Sequence, residues 1–205
     1  MQRAKSNKEH PITMAEIIEE KLKEWIEGKN QKEARISIYD KIRDIPYAVI
    51  PELIDHERYK RILTLNKGSC TPKHFLLCNM YERLGIPVLY AVYPFRWYEL
   101  EVDYPPSLKK LAEALPVNYH LACKADIDGK LILVDATVDL ALEKLGLPVN
   151  KEWDGSSNTL LPIKPLDEQI YYPSEAKLIS PSFDGKSLAF YKEFNSWLEG
   201  VRNCF

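Results

Sequence analysis

The stretch Gly68-Ser69-Cys70-Thr71-Pro72-Lys73-His74-Phe75-Leu76-Leu77-Cys78-Asn79-Met80-Tyr81-Glu82-Arg83-Leu84-Gly85-Ile86-Pro87 predicts a helix that starts beside a cysteine. Pro72 suits the first turn of a helix, and Gly85 followed by Pro87 is a stop signal. We therefore expect Cys70 at the helix N-terminus or one residue before it. Apolar side chains recur between these limits at helical spacing, namely Phe75, Leu76, Met80 and Leu84.

A helix N-terminus favours a cysteine thiolate over the neutral thiol, because the partial positive charge of the unpaired backbone N–H groups stabilises an anion there. A neighbouring imidazolium would lower the pKa of the thiol further, from about 8.5 in free cysteine. The expected position of Cys70 therefore suits a nucleophile.

A β-hairpin is the strongest signal outside this helix. Residues 117–125 and 131–137 have the composition of strands, and the Asp128-Gly129 pair between them suits a type I′ turn. With those two residues as the loop, strand parity places His120 and Asp135 on the same face as diagonal neighbours, within reach of a hydrogen bond. A register slip of one residue would turn Asp135 to the other face.

Cys70, His120 and Asp135 follow one another in the order of nucleophile, base and orienting carboxylate. Cysteine acyl-transfer enzymes bring these three kinds of group together by folding. Taken singly, each residue also has a structural interpretation, as a packed thiol, a strand histidine and a turn-forming aspartate. Their coincidence at a helix start and on one hairpin face favours a catalytic triad.

The motifs around these residues resemble the transglutaminase-like superfamily, a papain-like group of cysteine acyl transferases and peptidases. The resemblance covers roughly residues 36–140 and is stronger to single-domain bacterial and archaeal members than to the large calcium-dependent cross-linking enzymes. It rests on Gly68-x-Cys70 opening a helix that ends in Leu84-Gly85-Ile86-Pro87, on Tyr119-His120-Leu121, and on Leu133-Val134-Asp135-Ala136-Thr137.

The resemblance implies an α+β fold with a transglutaminase-like (papain-like) core. N-terminal helices would pack on a mostly antiparallel sheet, and the catalytic cysteine would begin a helix. It also implies Cys70 as the nucleophile, His120 as the base and Asp135 as the carboxylate that holds the imidazole. Many members carry an acidic residue soon after the cysteine, where this chain has Thr71-Pro72-Lys73-His74, so no substrate preference carries over.

His74 is an alternative base, since it lies four residues after Cys70 and would share its helix face. The positive end of the helix dipole disfavours the imidazolium that a thiolate partner requires, so we expect His120 to be the base. A metal site that joins Cys70, His74 and Cys78 is not expected. Helix positions eight apart are separated by roughly 12 Å, too far for both sulfurs to bind one ion.

The segments before and after this core predict further helices. Thr13 and Glu16 form a capping-box pattern for a first helix, and a second helix is expected at about residues 32–43. A short helix is expected near residues 107–115. The apolar face of the first helix consists of Ile18, Leu22, Trp25 and Ile26.

Residues 88–93 predict a buried strand, and residues 94–106 form a long connection after it. The C-terminal extension, residues 141–205, lies outside the resemblance, and its large apolar side chains are expected to pack over the catalytic layer. Aromatic side chains of the long connection are candidates for a substrate wall or for core packing, namely Phe95, Trp97 and Tyr98.

The length and composition of the chain predict its domain organisation, its kinds of partner and its location. A chain of 205 residues with 45% hydrophobic side chains and no linker-like run predicts a flexible tail at 1–12 and a single domain at 13–205. A net charge of −2, with both signs interleaved, indicates neither a nucleic-acid nor a membrane partner. No signal peptide or long apolar run is evident, so we expect a cytoplasmic protein whose four cysteines stay reduced.

The functional hypothesis is that the Cys70 thiolate attacks an amide or ester carbonyl and that His120 protonates the leaving group. A thioester acyl-enzyme would then pass its acyl group to water or to an amine. The Cys70 backbone N–H is an expected oxyanion donor, and the second donor stays open. The substrate would be a protein, a peptide or a small amide, with no cofactor and no metal. The alternative is a non-catalytic module that binds a peptide or partner, and the oligomeric state is open.

Overall fold

The computed structural model describes residues 13–179 and 183–203, so the predicted tail at 1–12 lies outside the described residues. The α-helices are α1 (Met14–Ile26), α2 (Gln31–Arg43), α3 (Ile62–Leu65), α4 (Cys70–Arg83), α5 (Pro106–Glu113) and α6 (Gly185–Asn203). The strands are β1 (Val88–Phe95), β2 (Asn118–Ile127), β3 (Lys130–Val134) and β4 (Gln169–Tyr171). Short 3-10 helices lie at Pro51–Leu53, Tyr59–Arg61, Trp97–Glu99, Leu140–Leu145 and Pro173–Leu178.

The sheet has the strand order β3-β2-β1-β4, and each neighbouring pair is antiparallel. Strands β2 and β3 form the predicted hairpin. Asp128 and Gly129 adopt φ angles of 55° and 78°, as a type I′ turn requires. Ile127 faces Lys130 across the turn, which is the register predicted from the sequence.

Strand β3 is shorter than predicted. It ends at Val134 rather than continuing to residue 137. The reason is that the backbone N–H of Asp135 donates to the side-chain oxygen of Thr159 at 2.7 Å instead of continuing the ladder. Asp135 therefore lies just past the end of β3, where its side chain still reaches His120 near the start of β2.

Helix α4 is buried on nearly all sides, because it packs against β1 and β2 of the sheet and against α2. The sequence predicted only an apolar stripe on this helix. The structure buries even its polar first-turn residues Lys73 and His74, which are fully inaccessible to solvent. A helix enclosed in this way is held rigidly at its N-terminus, where Cys70 lies.

The N-terminal helices begin as predicted. Thr13 caps α1 through a capping box with Glu16, and Asn30 caps α2 through a capping box with Glu33. Helix α1 buries Ile18, Leu22 and Trp25 against the core, as its periodicity indicated.

A second hydrophobic cluster lies beside the sheet and joins α5, α6 and the 3-10 helix Trp97–Glu99. The ring of Trp97 contacts Phe190 and Phe194 of α6, with centroids 5.1 and 5.0 Å away. Helix α5 ends at Glu113, two residues before the predicted end. Helix α6 of the C-terminal extension thus packs against the connection that follows β1.

Helices packed on an antiparallel sheet make this an α+β fold, as predicted, with Cys70 as the first residue of α4. Within residues 13–179 and 183–203, every helix is too short or too polar to cross a membrane.

Candidate active site

Gly68 fixes the approach of the chain to Cys70. Its backbone N–H donates to the carbonyl of Pro46 at 3.1 Å, and its own carbonyl accepts from the N–H of Ala48 at 3.2 Å. A Cβ atom at this position would lie only 2.5 Å from Cδ1 of Ile62, which is fully buried. Only glycine fits here without displacement, so this close approach holds the start of α4 against the preceding segment.

His120 and Asp135 are joined by a short buried hydrogen bond. Nε2 of His120 donates to Oδ2 of Asp135 at 2.5 Å, and both side chains are almost completely inaccessible. This is the contact that strand parity predicted. Since Nε2 is engaged, the other ring nitrogen, Nδ1, is the one left to face Cys70.

Every polar group of Asp135, in its side chain and in its backbone, takes part in a hydrogen bond. Its Oδ1 accepts from the N–H of Thr137 at 2.9 Å, while Oδ2 bonds to His120. Its backbone N–H donates to Thr159 at 2.7 Å, and its carbonyl accepts from the hydroxyl of Tyr39 at 3.1 Å. The carboxylate is therefore oriented before any substrate arrives.

Cys70 and His120 line the same cavity, and the charges of the cluster shift their pKa values in opposite directions. Burial alone would raise the pKa of Cys70, but the charge and hydrogen bond of His120, with the N–H of Leu121, place it below that of an ordinary thiol. Burial would lower the pKa of His120, but the carboxylate of Asp135 and the thiolate raise it to about 10. Burial opposes ionisation of Asp135 as well, yet His120 holds the pKa of that carboxyl below its usual range. The arrangement favours a thiolate, an imidazolium and a carboxylate in a row.

His74 lies beside this row but has both ring nitrogens occupied. Nδ1 donates to the carbonyl of Cys70 at 2.8 Å, and Nε2 accepts from the N–H of Ala136 at 2.9 Å. A backbone N–H can only donate, so Nε2 carries no proton and the ring is neutral. Burial lowers the pKa of His74 to about 4. The ring has no nitrogen free to take a proton from the thiol.

The buried side chain of Lys73 forms further hydrogen bonds near the site. Its Nζ donates to the carbonyls of Arg43 at 2.9 Å and of Thr137 at 2.8 Å. Burial lowers the pKa of Lys73 to about 7, although Asp139 and Asp135 act in the opposite direction. This side chain joins α2, α4 and the segment after β3.

Helix α6 is anchored beside the site through Arg202. The guanidinium donates to the carboxylate of Asp139 at 2.7 Å and to the carbonyl of Tyr47 at 2.8 Å. The same carboxylate accepts from the N–H of Tyr47 at 2.7 Å. These bonds join the C-terminal extension to the segment that leads into Cys70.

A cavity of about 70 Å³ adjoins Cys70 and His120. Phe95 and Trp97, two of the predicted wall candidates, contribute to its lining. Tyr98, the third candidate, is 42% exposed and is not part of that lining. Further lining side chains come from the segment before α4, from the region after β3 and from α6, among them Tyr47, Val49, Val138, Leu142, Phe194 and Leu198.

Tyr39 and Thr159 also belong to the surroundings of the site, although no sequence pattern indicated them. Tyr39 and Thr159 lie 96 and 24 residues from Asp135 in the chain, and no local pattern signals such contacts. Cys78 and Cys123 are fully buried free thiols in the core. Within the described part of the chain, no group of three or more His, Cys, Asp or Glu residues is placed to hold a metal ion.

Comparison with known proteins gives distant similarity. No family model and no curated protein sequence matches this chain. Among solved structures, a candidate cysteine protease from Cytophaga hutchinsonii superposes on 64% of this chain with a TM-score of 0.43 and 20% sequence identity. The matched part corresponds to 40% of that structure. At this level of similarity, the assignment of a function depends on the geometry of the site.

Proposed function

We propose that this protein catalyses cysteine-dependent acyl transfer or amide hydrolysis, with Cys70 as the nucleophile, His120 as the acid and base, and Asp135 as the orienting carboxylate. The observation that carries the proposal is the buried hydrogen bond of 2.5 Å between His120 and Asp135, with His120 lining the same cavity as Cys70 at the start of α4. The resemblance of the motifs to the transglutaminase-like superfamily supports the same assignment.

The first half of the reaction forms a thioester. The Cys70 thiolate attacks the carbonyl carbon of an amide or ester, and the carbonyl oxygen becomes an oxyanion. The C–N or C–O bond then breaks as the His120 imidazolium gives its proton to the departing nitrogen or oxygen. The acyl group stays on sulfur, and His120 is left neutral.

The second half regenerates the enzyme. Neutral His120 takes a proton from a water molecule or an amine as that acceptor attacks the thioester carbon. The C–S bond breaks and Cys70 returns as the thiolate beside the imidazolium. Asp135 stabilises the imidazolium in both halves and keeps the ring in the required orientation.

The backbone N–H of Cys70 supports the oxyanion in this scheme. Cys70 is the first residue of α4, and the N–H groups of a first helical turn have no partner within the helix. Their partial positive charge is directed toward the carbonyl that the sulfur attacks. We propose residues 13–205 as one catalytic domain, with a protein, a peptide or a small amide as substrate.

Alkylation by iodoacetamide tests the proposal. We expect Cys70 of the native protein to react at pH values well below those at which ordinary thiols react, because its pKa is lowered. Cys78 in the denatured chain is the matched control, since it is an ordinary thiol once unfolded. Site-resolved mass spectrometry would measure both rates against pH, and equal pH dependence of the two thiols would refute the ion pair.

A covalent probe separates catalysis from the non-catalytic binding module. An electrophile built on an amide should form an adduct with the wild-type protein that Cys70→Ala abolishes. If the protein only binds a peptide or partner, Cys70→Ala would keep its affinity for the probe, and the wild type would form no adduct.

A further inference from the structure

The cavity beside Cys70 is apolar on most of its surface. Most of the residues that line it are aromatic or aliphatic, and Cys70 and His120 are part of the same lining. Apolar walls favour an apolar ligand, because filling such a space removes hydrocarbon surface from water at about 25 cal/mol per Å². The ligand group that enters here is therefore hydrocarbon rather than charged.

Part of the wall comes from elements outside the stretch that resembles the superfamily. Phe194 and Leu198 belong to α6, and Leu142 belongs to the 3-10 helix Leu140–Leu145. Arg202 anchors α6 to Asp139, so this wall is fixed next to the site. The C-terminal extension thus supplies part of the surface that selects a ligand.

Polar atoms at the same cavity have no partner within the described protein. The hydroxyls of Ser69 and Thr137 are buried and have no hydrogen-bond partner. Both residues line the cavity, and each is less than 10% exposed. A buried donor without a partner is destabilising, so a ligand that offers carbonyl or amide groups would relieve this cost.

The size of the cavity limits the group that it takes. A volume of about 70 Å³ corresponds to roughly five water molecules at 10–15 Å³ of probe volume each. Five waters occupy about 150 Å³ of liquid, which is the scale of one branched aliphatic or aromatic side chain.

The order of events in a thioester mechanism assigns this cavity to the acyl group. The acyl group stays bound to sulfur after the first step, whereas water or an amine must enter where the leaving group departed. A largely apolar space suits the part that stays bound to sulfur. The solvent side suits the part that exchanges, and Tyr119 on that side is 54% exposed although it also borders the cavity.

We propose that the cavity binds the side chain of an acyl donor, a hydrocarbon group between leucine and phenylalanine in size, while Ser69 and Thr137 bond to the polar groups of the donor backbone. The substrate class is thus an amide or ester of an N-acylated apolar amino acid, as in a peptide. This inference deepens the proposed function and rests on it.

Acylation of Cys70 by model esters tests the inference. The probes are the p-nitrophenyl esters of N-acetylglycine, N-acetylaspartate, N-acetylleucine and N-acetylphenylalanine, and mass spectrometry follows the thioester on Cys70. We expect the leucine and phenylalanine esters to acylate at least about 10-fold faster than the other two. Equal rates for all four, or no acylation by any of them while iodoacetamide still detects the thiolate, would overturn the inference and leave the proposed function standing. Failure of the iodoacetamide test itself would overturn the proposed function.

A matched pair of variants locates the selectivity. Phe194→Leu enlarges the cavity, so we expect the ratio of acylation rates for a naphthylalanine ester over the phenylalanine ester to rise by about 5-fold or more. Phe190→Leu is the control, because Phe190 stacks on Phe194 at 5.3 Å but does not line the cavity. An equal rise of this ratio in both variants would overturn the inference. Thermal melts would confirm that both variants are folded.

Thr137→Val tests the polar side of the cavity. The substitution replaces the unpartnered hydroxyl by a methyl group. We expect acylation by the phenylalanine ester to slow by about 5-fold or more while the iodoacetamide rate of Cys70 stays unchanged, because iodoacetamide has no side chain to bind in the cavity and bring its amide to Thr137. An unchanged ester rate would contradict the assignment of this hydroxyl to the donor.

Discussion

Nε2 of His74 accepts a hydrogen bond from the backbone N–H of Ala136 at 2.9 Å, so the helix that Cys70 begins is tied directly to the residue that follows Asp135. The other nitrogen of the ring donates to the carbonyl of Cys70. His74 therefore sets the distance between nucleophile and carboxylate through neutral contacts. His120, in contrast, faces the sulfur and the carboxylate as a charged group.

Replacing each histidine by glutamine separates these roles. His120→Gln is expected to raise the pH midpoint of Cys70 alkylation by about one unit or more, because the thiolate loses its cationic neighbour. His74→Gln keeps a donor and an acceptor and should leave that midpoint unchanged, even if it lowers stability. Iodoacetamide rates measured from acid to alkaline pH provide the readout. A midpoint that shifts equally in both variants would mean that His74 also titrates with the thiol.

Asp135→Asn is expected to lower activity and to change its pH range. The carboxylate is the largest influence that raises the pKa of His120 toward about 10. Without it, the imidazolium loses its proton at lower pH, so the alkaline limb of the rate profile should move to lower pH. We expect kcat on N-acetylphenylalanine p-nitroanilide to fall by about 10² to 10⁴. An unmoved alkaline limb would argue against this role of Asp135.

The pKa shifts of His120 and Asp135 predict how the free energy of unfolding depends on pH. The raised pKa of His120 contributes stability that is fully present below its unfolded value of about 6.5 and is lost as pH rises through about 10. The lowered pKa of Asp135 contributes stability that is present above the unfolded value of about 3.9 and is lost as pH falls through the folded value. When unfolding is measured with urea, the difference in free energy of unfolding between wild type and His120→Ala should therefore be largest below about pH 6.5. A difference that grows toward alkaline pH would contradict this sign.

Gly68→Ala is expected to lower the free energy of unfolding by about 1–3 kcal/mol, because the added Cβ would overlap the buried side chain of Ile62. Gly200→Ala in α6 is the matched control, since nothing lies within 4 Å of the new atom. That change should stabilise the helix by about 0.5–1 kcal/mol. Chemical denaturation would measure both, and loss of stability in both variants would mean that crowding at Ile62 is not the cause.

Lys73→Met is expected to alter how stability depends on pH. Burial lowers the pKa of Lys73 to about 7, while an unfolded lysine titrates near about 10.4. Between these values the unfolded chain binds more protons, so Lys73 makes wild-type stability rise with pH, by at most about 1.4 kcal/mol per pH unit. Unfolding free energies of wild type minus variant should increase from about pH 7 to about pH 10. A constant difference would indicate that Lys73 keeps its charge in the fold.

Local chemistry made the framework of this fold predictable from the sequence. The capping box at Thr13, the stop signal at Gly85 and the turn at Asp128-Gly129 each act within a few residues. The hairpin turn fixes the register, and the register places His120 on the face that meets Asp135. Because each step is local, one sequence carried enough information to bring these two residues together.

The rest of the site depends on contacts that no local pattern encodes. The carbonyl of Asp135 bonds to Tyr39, 96 residues earlier, and its N–H bonds to Thr159, which ends the strand sooner than predicted. The short strand β4 and the cavity wall on α6 likewise form only through tertiary packing. The burial of Lys73 and His74 could not be predicted from the sequence either, since polar residues near the start of a helix normally face solvent.

The anchoring of Arg202 on Asp139 and Tyr47 has a consequence for biosynthesis. Residues 70, 120 and 135 leave the ribosome well before residue 202, so the nascent chain carries its thiol, imidazole and carboxylate while one wall of the cavity is still missing. On the proposed function, discrimination among acyl groups would then arise only after α6 has docked.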